Sequence, residues 1–122
     1  MNNVNENLLA SKSFEFGVRT YRLCEQIMKT RNEFVLTRQL IRASSSVGAL
    51  CSESEFAQSR PDFISKLSIA RKECNESRYW ILMMHEVGLL DAIRAEEMEY
   101  KANELLRILT ASIKTAQSSI KN

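Results

Sequence analysis

One stretch of this chain constrains its fold more than any other. Phe63, Leu67, Ala70, Cys74, Ser77, Ile81 and Met84 follow one another at steps of four and three residues. A repeat averaging about 3.5 residues keeps one stripe of an α-helix turned toward a partner, the seam of helices crossing at about +20°. The same alternation runs through Met98, Ala102, Leu105, Leu109, Ser112 and Ala116. With a single slip it also runs through Leu36, Leu40, Ala43, Val47, Leu50, Ser54 and Ala57. An earlier segment contributes Phe16, Leu23 and Ile27. Strands alternate with a period of two, so long helices are favoured over a β fold.

Punctuation between these stripes is sparse, with three glycines and one proline in 122 residues. Asn32 caps a helix after "MKTR". Ser59, Pro61 and Asp62 form a start signal in "SRPDF", and Gly88 followed by Asp91 forms a stop and a restart. These marks predict four helices over about 11–31, 33–58, 60–87 and 91–119, each about 30–40 Å long at 1.5 Å per residue. Short connections force sequential neighbours to run antiparallel. The fold class expected is all-α, a single-domain, left-handed, up-down-up-down four-helix bundle.

Two segments carry more apolar surface than one seam uses. Phe14, Val18 and Tyr21 lie beside the main line of the first, and Ile69, Trp80, Met83 and Val87 form a second line on the third. Helices apolar on two stripes are buried on two sides, which predicts self-association, with a crowded single core as the alternative. The second segment has the opposite peculiarity. "RASSSVGALCSESE" places five serines and a glycine inside a helical pattern, although both are weak helix formers. Ser44, Gly48 and Cys51 share one line, with Ser45 and Ala49 beside it. Small residues on one face let another helix backbone approach closely, and buried hydroxyls can bond back to the preceding turn. No acid–base partner stands at a spacing that would make these serines nucleophiles.

Composition narrows the function classes. Hydrophobic residues at 44% and charged residues at 26% suit a folded globular protein. The start "MNNVNENLLASK" lacks the basic and apolar regions of a signal peptide, and the longest apolar run, Trp80 to Met84, is far below the ~20 residues of a membrane span. Cys24, Cys51 and Cys74 are odd in number and widely spaced. They read as reduced thiols of a cytoplasmic protein, with one disulfide plus a free thiol as the alternative. No phosphate-binding glycine motif is present, and no paired cysteine or Glu-x-x-His spacing offers a metal site, so no cofactor is expected.

Charge offers two candidates. Lys12, Arg19, Arg22, Lys29 and Arg31 outnumber Glu15 and Glu25 on the first segment, a local excess of +3. With a net charge of +2 per chain, a monomer makes a weak phosphate binder, but self-association would multiply that charge. Lys12, Arg19, Arg22 and Lys29 are therefore candidate nucleic-acid contacts. Arg38 and Arg42 share a face of the second segment and can reach Glu73 and Glu76 of the third, a structural polar network. Arg78 and His85 form an R-x6-H string similar to the signature of all-helical endoribonuclease domains, where histidine serves as acid–base and arginine holds phosphate. Tyr79 follows the arginine where a polar residue is usual there. The chain is read as non-enzymatic.

The strings "RQLIRASSSVGAL" and "AQSRPDFISKLSIARKECNESRYWILMMHEVGLLD" resemble the bacterial four-helix bundle family first named 23S rRNA intervening-sequence proteins. That family carries R-S-x-x-S-I-G-A-N-I-x-E-A followed by S-x-x-D-F-I-x-K-L-x-I-A-x-K-E-x-x-E-x-x-Y-W-L. This chain matches at Arg42, Ser46, Gly48, Ala49, Glu53, Ser59, Asp62, Phe63, Ile64, Lys66, Leu67, Ile69, Ala70, Lys72, Glu73, Glu76, Tyr79 and Trp80. It departs at Leu50 and Cys51, where Asn-Ile is usual, and at Ser54, where Ala is usual. The resemblance implies the same bundle, assembled as a ring-shaped homopentamer. It also implies a kinship with accessory proteins of diversity-generating retroelements, whose partners are nucleic acid and a reverse transcriptase. The expected function is a non-catalytic homo-oligomeric scaffold that binds RNA or DNA through its assembled basic surface. The alternative is a protein–protein adaptor without nucleic-acid affinity.

Overall fold

The computed structural model describes the backbone of residues 4–121 and the side chains of residues 8–119. Four helices follow in order: α1 (Val4–Arg31), α2 (Val35–Ser54), α3 (Arg60–Glu86) and α4 (Ala92–Lys121). The first begins earlier than its punctuation predicts, and the second stops at Ser54 rather than near 58.

That early stop has a local cause. The N–H groups of Glu55, Phe56 and Ala57 tighten onto the carbonyls of Ser52, Glu53 and Ser54. The next helix then begins with a reciprocal cap. Ser59 Oγ accepts from the Asp62 N–H at 3.1 Å, and Asp62 accepts from the Gln58 N–H at 3.2 Å. Asn32 closes α1 in the left-handed region at φ 53°, its N–H bonded to Met28. Gly88, at φ 86°, closes α3 with paired bonds from Leu89 to Met84 and from Gly88 to His85, a Schellman arrangement. Asp91 starts α4 by accepting the Arg94 N–H at 2.8 Å.

The N-terminus of α2 uses a device the punctuation does not announce. The Glu33 carboxylate accepts the N–H groups of Val35, Leu36 and Thr37 at 3.1, 2.6 and 3.1 Å. Partial burial opposes the charge, but the bonds from Leu36, Thr37 and Val35 outweigh it and hold the carboxyl below its ordinary value.

Each helix packs on its two sequence or closure neighbours, so α1–α2–α3–α4 form the sides of a square and the other pairs lie across its diagonals. Direction follows from which residues meet. Gly17 faces Ser44 while Gly48 faces Ser13; Lys12 meets Glu104 while Arg19 meets Glu97; Arg71 meets Thr110 while Arg78 meets Asn103. Numbers rise on one helix as they fall on its neighbour, so these three pairs are antiparallel, and closure of the square makes α2–α3 antiparallel as well.

The core is the stripe of the repeat. Leu40, Ala43, Val47, Leu67, Ala70, Cys74, Ile81, Met84, Ala102, Leu105 and Leu109 are almost fully buried. The slip in α2 resolves in favour of Cys51, which is buried while Leu50 is only half-buried. In α1 the buried line is Leu9, Ser13, Phe16, Thr20, Cys24 and Ile27, and Leu23 falls to the flank. Much of the second stripes lies outside, with Phe14 72% exposed, Tyr21 49% and Val87 55%, while Val18 is half-buried and Trp80 packs half-buried against the core.

Candidate nucleic-acid interface

The α1–α4 seam is the least extensive of the four, and charged side chains bridge it. Lys12 pairs with Glu104 at 3.3 Å, Lys101 with Glu15 at 3.3 Å, and Arg19 with Glu97; Arg94 donates to Gln26 at 3.3 Å. The order follows from antiparallel packing, because each turn down α1 meets one turn up α4. Such exposed pairs contribute about 0–1 kcal/mol each. They set register more than stability.

Near the C-terminal end of α1 the seam opens into a cleft of about 320 Å³. Arg19, Arg22 and Arg94 line it together with Gln26 and one carboxylate, Glu97. Asp91 stands 3.9 Å from Arg94. Arg22 has no carboxylate within ion-pair distance among the described residues. Arg19 and Arg22 are thus brought together, and Arg94 joins them from α4. Lys12 and Lys29 do not join. The former is tied to Glu104, and the latter reaches Glu25 at 4.0 Å on its own helix. Arg94 could be linked to this site only by pairing α1 with α4, which nothing local in the sequence states.

The second polar cluster joins α2 to α3. Arg42 bonds to Glu73 at 3.3 Å and also to Glu76. Glu76 in turn accepts from the Trp80 indole N–H at 3.0 Å. That indole bond, followed by the Arg42 guanidinium, holds the Glu76 carboxyl below its ordinary value. Arg38 stands apart from this network. Its guanidinium lies 5.6 Å from the Phe34 ring centre instead.

The small residues of α2 meet α1. A Cβ on Gly48 would stand 3.3 Å from the Ser13 carbonyl oxygen, and one on Gly17 would stand 3.7 Å from that of Ser44. Ser44 and Cys51 are buried in the same contact. The hydroxyls bond to their own helix, Ser44 to Ile41 at 3.3 Å and Ser46 to Arg42 at 2.8 Å. Gly17 is the partner that reading α2 alone misses.

With this geometry in hand, residues 5–111 match the 23S rRNA-intervening sequence protein family. The chain belongs to that family. Among solved structures it is similar to a protein of unknown function from the S23 ribosomal protein family of Bacteroides thetaiotaomicron. The two share 36% identity at a TM-score of 0.90, over 91% of this chain and 99% of that one. Comparison with curated protein sequences gives no match.

For a 23S rRNA-intervening sequence protein, the remaining chemistry-bearing residues are engaged in structure. Arg78 donates to Asn75 at 2.9 Å and to Asn103 at 3.2 Å. His85 Nδ1 lies 2.9 Å from the Leu90 carbonyl, a contact that requires a proton on Nδ1. The three cysteines are buried free thiols. Desolvation pushes Cys24 and Cys74 up to about 12 and Cys51 to about 11, which keeps them protonated and unreactive. Among the described residues no group of three or more His, Cys, Asp or Glu could hold a metal ion. Among the described residues no helix is long and apolar enough to cross a membrane.

Proposed function

We propose that this protein is a non-catalytic, homo-oligomeric scaffold whose assembled surface makes sequence-tolerant contacts with RNA or DNA phosphates. The α1–α4 cleft is the contact on each copy. The observation that carries the reading is the convergence of Arg19, Arg22 and Arg94 around one cleft that contains a single carboxylate. Guanidinium groups offer planar paired donors that suit phosphate oxygens. Repetition of the cleft around a ring, a homopentamer in the resemblance drawn above, multiplies a weak contact through effective concentration. A reverse transcriptase or another protein is a further partner consistent with the same resemblance. The reading places the protein in the cytoplasm and away from membranes.

A second reading, a protein–protein adaptor, draws support from one specific observation. Lys12, Arg19 and Lys29 each have a carboxylate partner, so the free positive charge of α1 is less than its composition suggests. Fluorescence anisotropy with labelled single-stranded RNA and duplex DNA across a salt series separates the two. Phosphate binding must weaken with salt, by a slope of about 0.7 per neutralised phosphate on single strands and about 0.9 on duplex. Arg22→Gln/Arg94→Gln is expected to reduce that slope and to lower affinity for all sequences alike. Absence of binding at low salt would leave the adaptor reading. Incubation with RNA in chelator is expected to leave the RNA intact, and cleavage abolished by His85→Ala would establish an enzyme instead.

A further inference from the structure

The close approach of α1 and α2 leaves a trough on their outer side. Its volume is about 530 Å³, its floor is Gly17, Ser45, Gly48 and Ala49, and Phe14 and Tyr21 stand along one wall. Arg22 lines both this trough and the arginine cleft, so the two adjoin around α1. Along α3 and its C-cap, Tyr79, Met83 and Val87 step by four and are all exposed. One surface is a trough with a small-residue floor, and the other is a ridge of larger apolar side chains.

Charge matches them in one register. Arg38 stands seven residues before Ser45 and so continues the α2 wall, while Glu55 ends that helix. The two lie about 25 Å apart along the axis at 1.5 Å per residue. Lys72 and Glu86 each stand seven residues from Tyr79 on the ridge, about 21 Å apart by the same rise. None of these four forms an ion pair among the described residues. With the ridge helix laid antiparallel to α2, Glu86 meets Arg38 and Lys72 comes within reach of Glu55. In the opposite direction, both ends would set like charges together.

We infer that the α1–α2 trough receives the α3 ridge of a second copy of this chain, with Glu86 placed at Arg38 and Lys72 at Glu55. This rests on the self-association in the proposed function and names the surfaces that perform it. Because donor and acceptor surfaces differ, the contact is head-to-tail, the type that closes into rings when its rotation allows. Among their lining residues, the trough and the α1–α4 cleft have Arg22 in common.

The test is mass by light scattering after size exclusion, at micromolar concentration. Ala49→Arg fills the trough from an exposed position, and Met83→Glu places a charge on the ridge; circular dichroism confirms that both remain folded. Each variant alone is expected to run as a 14.0 kDa protomer. Their equimolar mixture is expected to form a species of twice that mass, because each still offers one intact surface. Arg38→Glu is expected to weaken assembly, and Arg38→Glu/Glu86→Arg to restore it. A multimeric wild type unaffected by either variant would overturn this interface while leaving self-association standing. Loss of assembly in only one variant would indicate a symmetric contact and also overturn it. A monomeric wild type would remove both. Salt-sensitive RNA anisotropy retained by the monomeric variants would show that the arginine cleft binds without the assembly contact.

Discussion

Substituting the two glycines of the α1–α2 contact separates helix propensity from packing. Alanine is favoured over glycine inside a helix by about 1 kcal/mol. At Gly17 a new Cβ would meet the Ser44 carbonyl oxygen at 3.7 Å and the Ser45 Cα at 3.9 Å, ordinary contact distances. Gly17→Ala is therefore expected to keep most of the propensity gain and to raise the melting temperature by about 4 °C. At Gly48 the nearest atom is the Ser13 carbonyl oxygen at 3.3 Å, with the Ser13 carbonyl carbon at 3.5 Å. Those are backbone atoms of a packed helix and cannot swing aside. Relieving them shifts α1 by a few tenths of an ångström, and overpacking of this kind costs about 1–3 kcal/mol. Gly48→Ala should therefore fall between neutral and about 2 kcal/mol destabilised, and Gly48→Leu well below it. Urea unfolding followed by circular dichroism, in the Met83→Glu background to hold association constant, gives the order. The expected ranking is Gly17→Ala, wild type, Gly48→Ala, Gly48→Leu. A Gly48→Leu protein with the wild-type midpoint would refute the close approach, and a Gly17→Ala protein less stable than wild type would refute the spacing on the other side.

Glu33→Gln replaces an acceptor of three N–H groups at the start of α2 and is expected to cost about 1 kcal/mol at neutral pH, read from denaturant midpoints. The carboxyls of Glu33 and Glu76 are held below their ordinary value of 4.5. The stability they contribute is complete above that value and is lost as pH falls through their lower folded values; acid unfolding curves should therefore flatten in Glu33→Gln and in Glu76→Gln. Thr20 is fully buried, and its hydroxyl has no partner among the described residues; Thr20→Val is expected to stabilise by about 1 kcal/mol by removing that group, and a destabilised variant would reveal a bond the hydroxyl makes. The buried thiols, with values of about 11 to 12, should react with a disulfide reagent at pH 8 only as the protein unfolds. Fast labelling of the folded protein would refute their burial.

The helical period was enough to determine the four helices and nearly all of the core in α3 and α4, because a buried stripe must recur with the helix turn whatever it packs against. Caps at Ser59, Asp62, Gly88 and Asp91 were equally local, since the side chain or backbone freedom that ends a helix lies within a few residues of the end. Glu33 is just as local, and its role was open to the same reading. The core line of α1 was partly hidden because Ser13 and Thr20 are polar and Cys24 is small, so Leu23 drew attention one residue away. The small residues of α2 announced a close approach, but only the packing identified the partner as Ser13 and Gly17 of α1. Tertiary structure also decided the electrostatics. Glu97 and Glu104 neutralise Arg19 and Lys12 from the far end of the chain, Arg38 lies over Phe34 and outside the Arg42 network, and Arg94 joins Arg19 and Arg22. Helix propensity and period act over a few residues and are written along the chain, whereas charge acts through space between segments that only the closed square brings together.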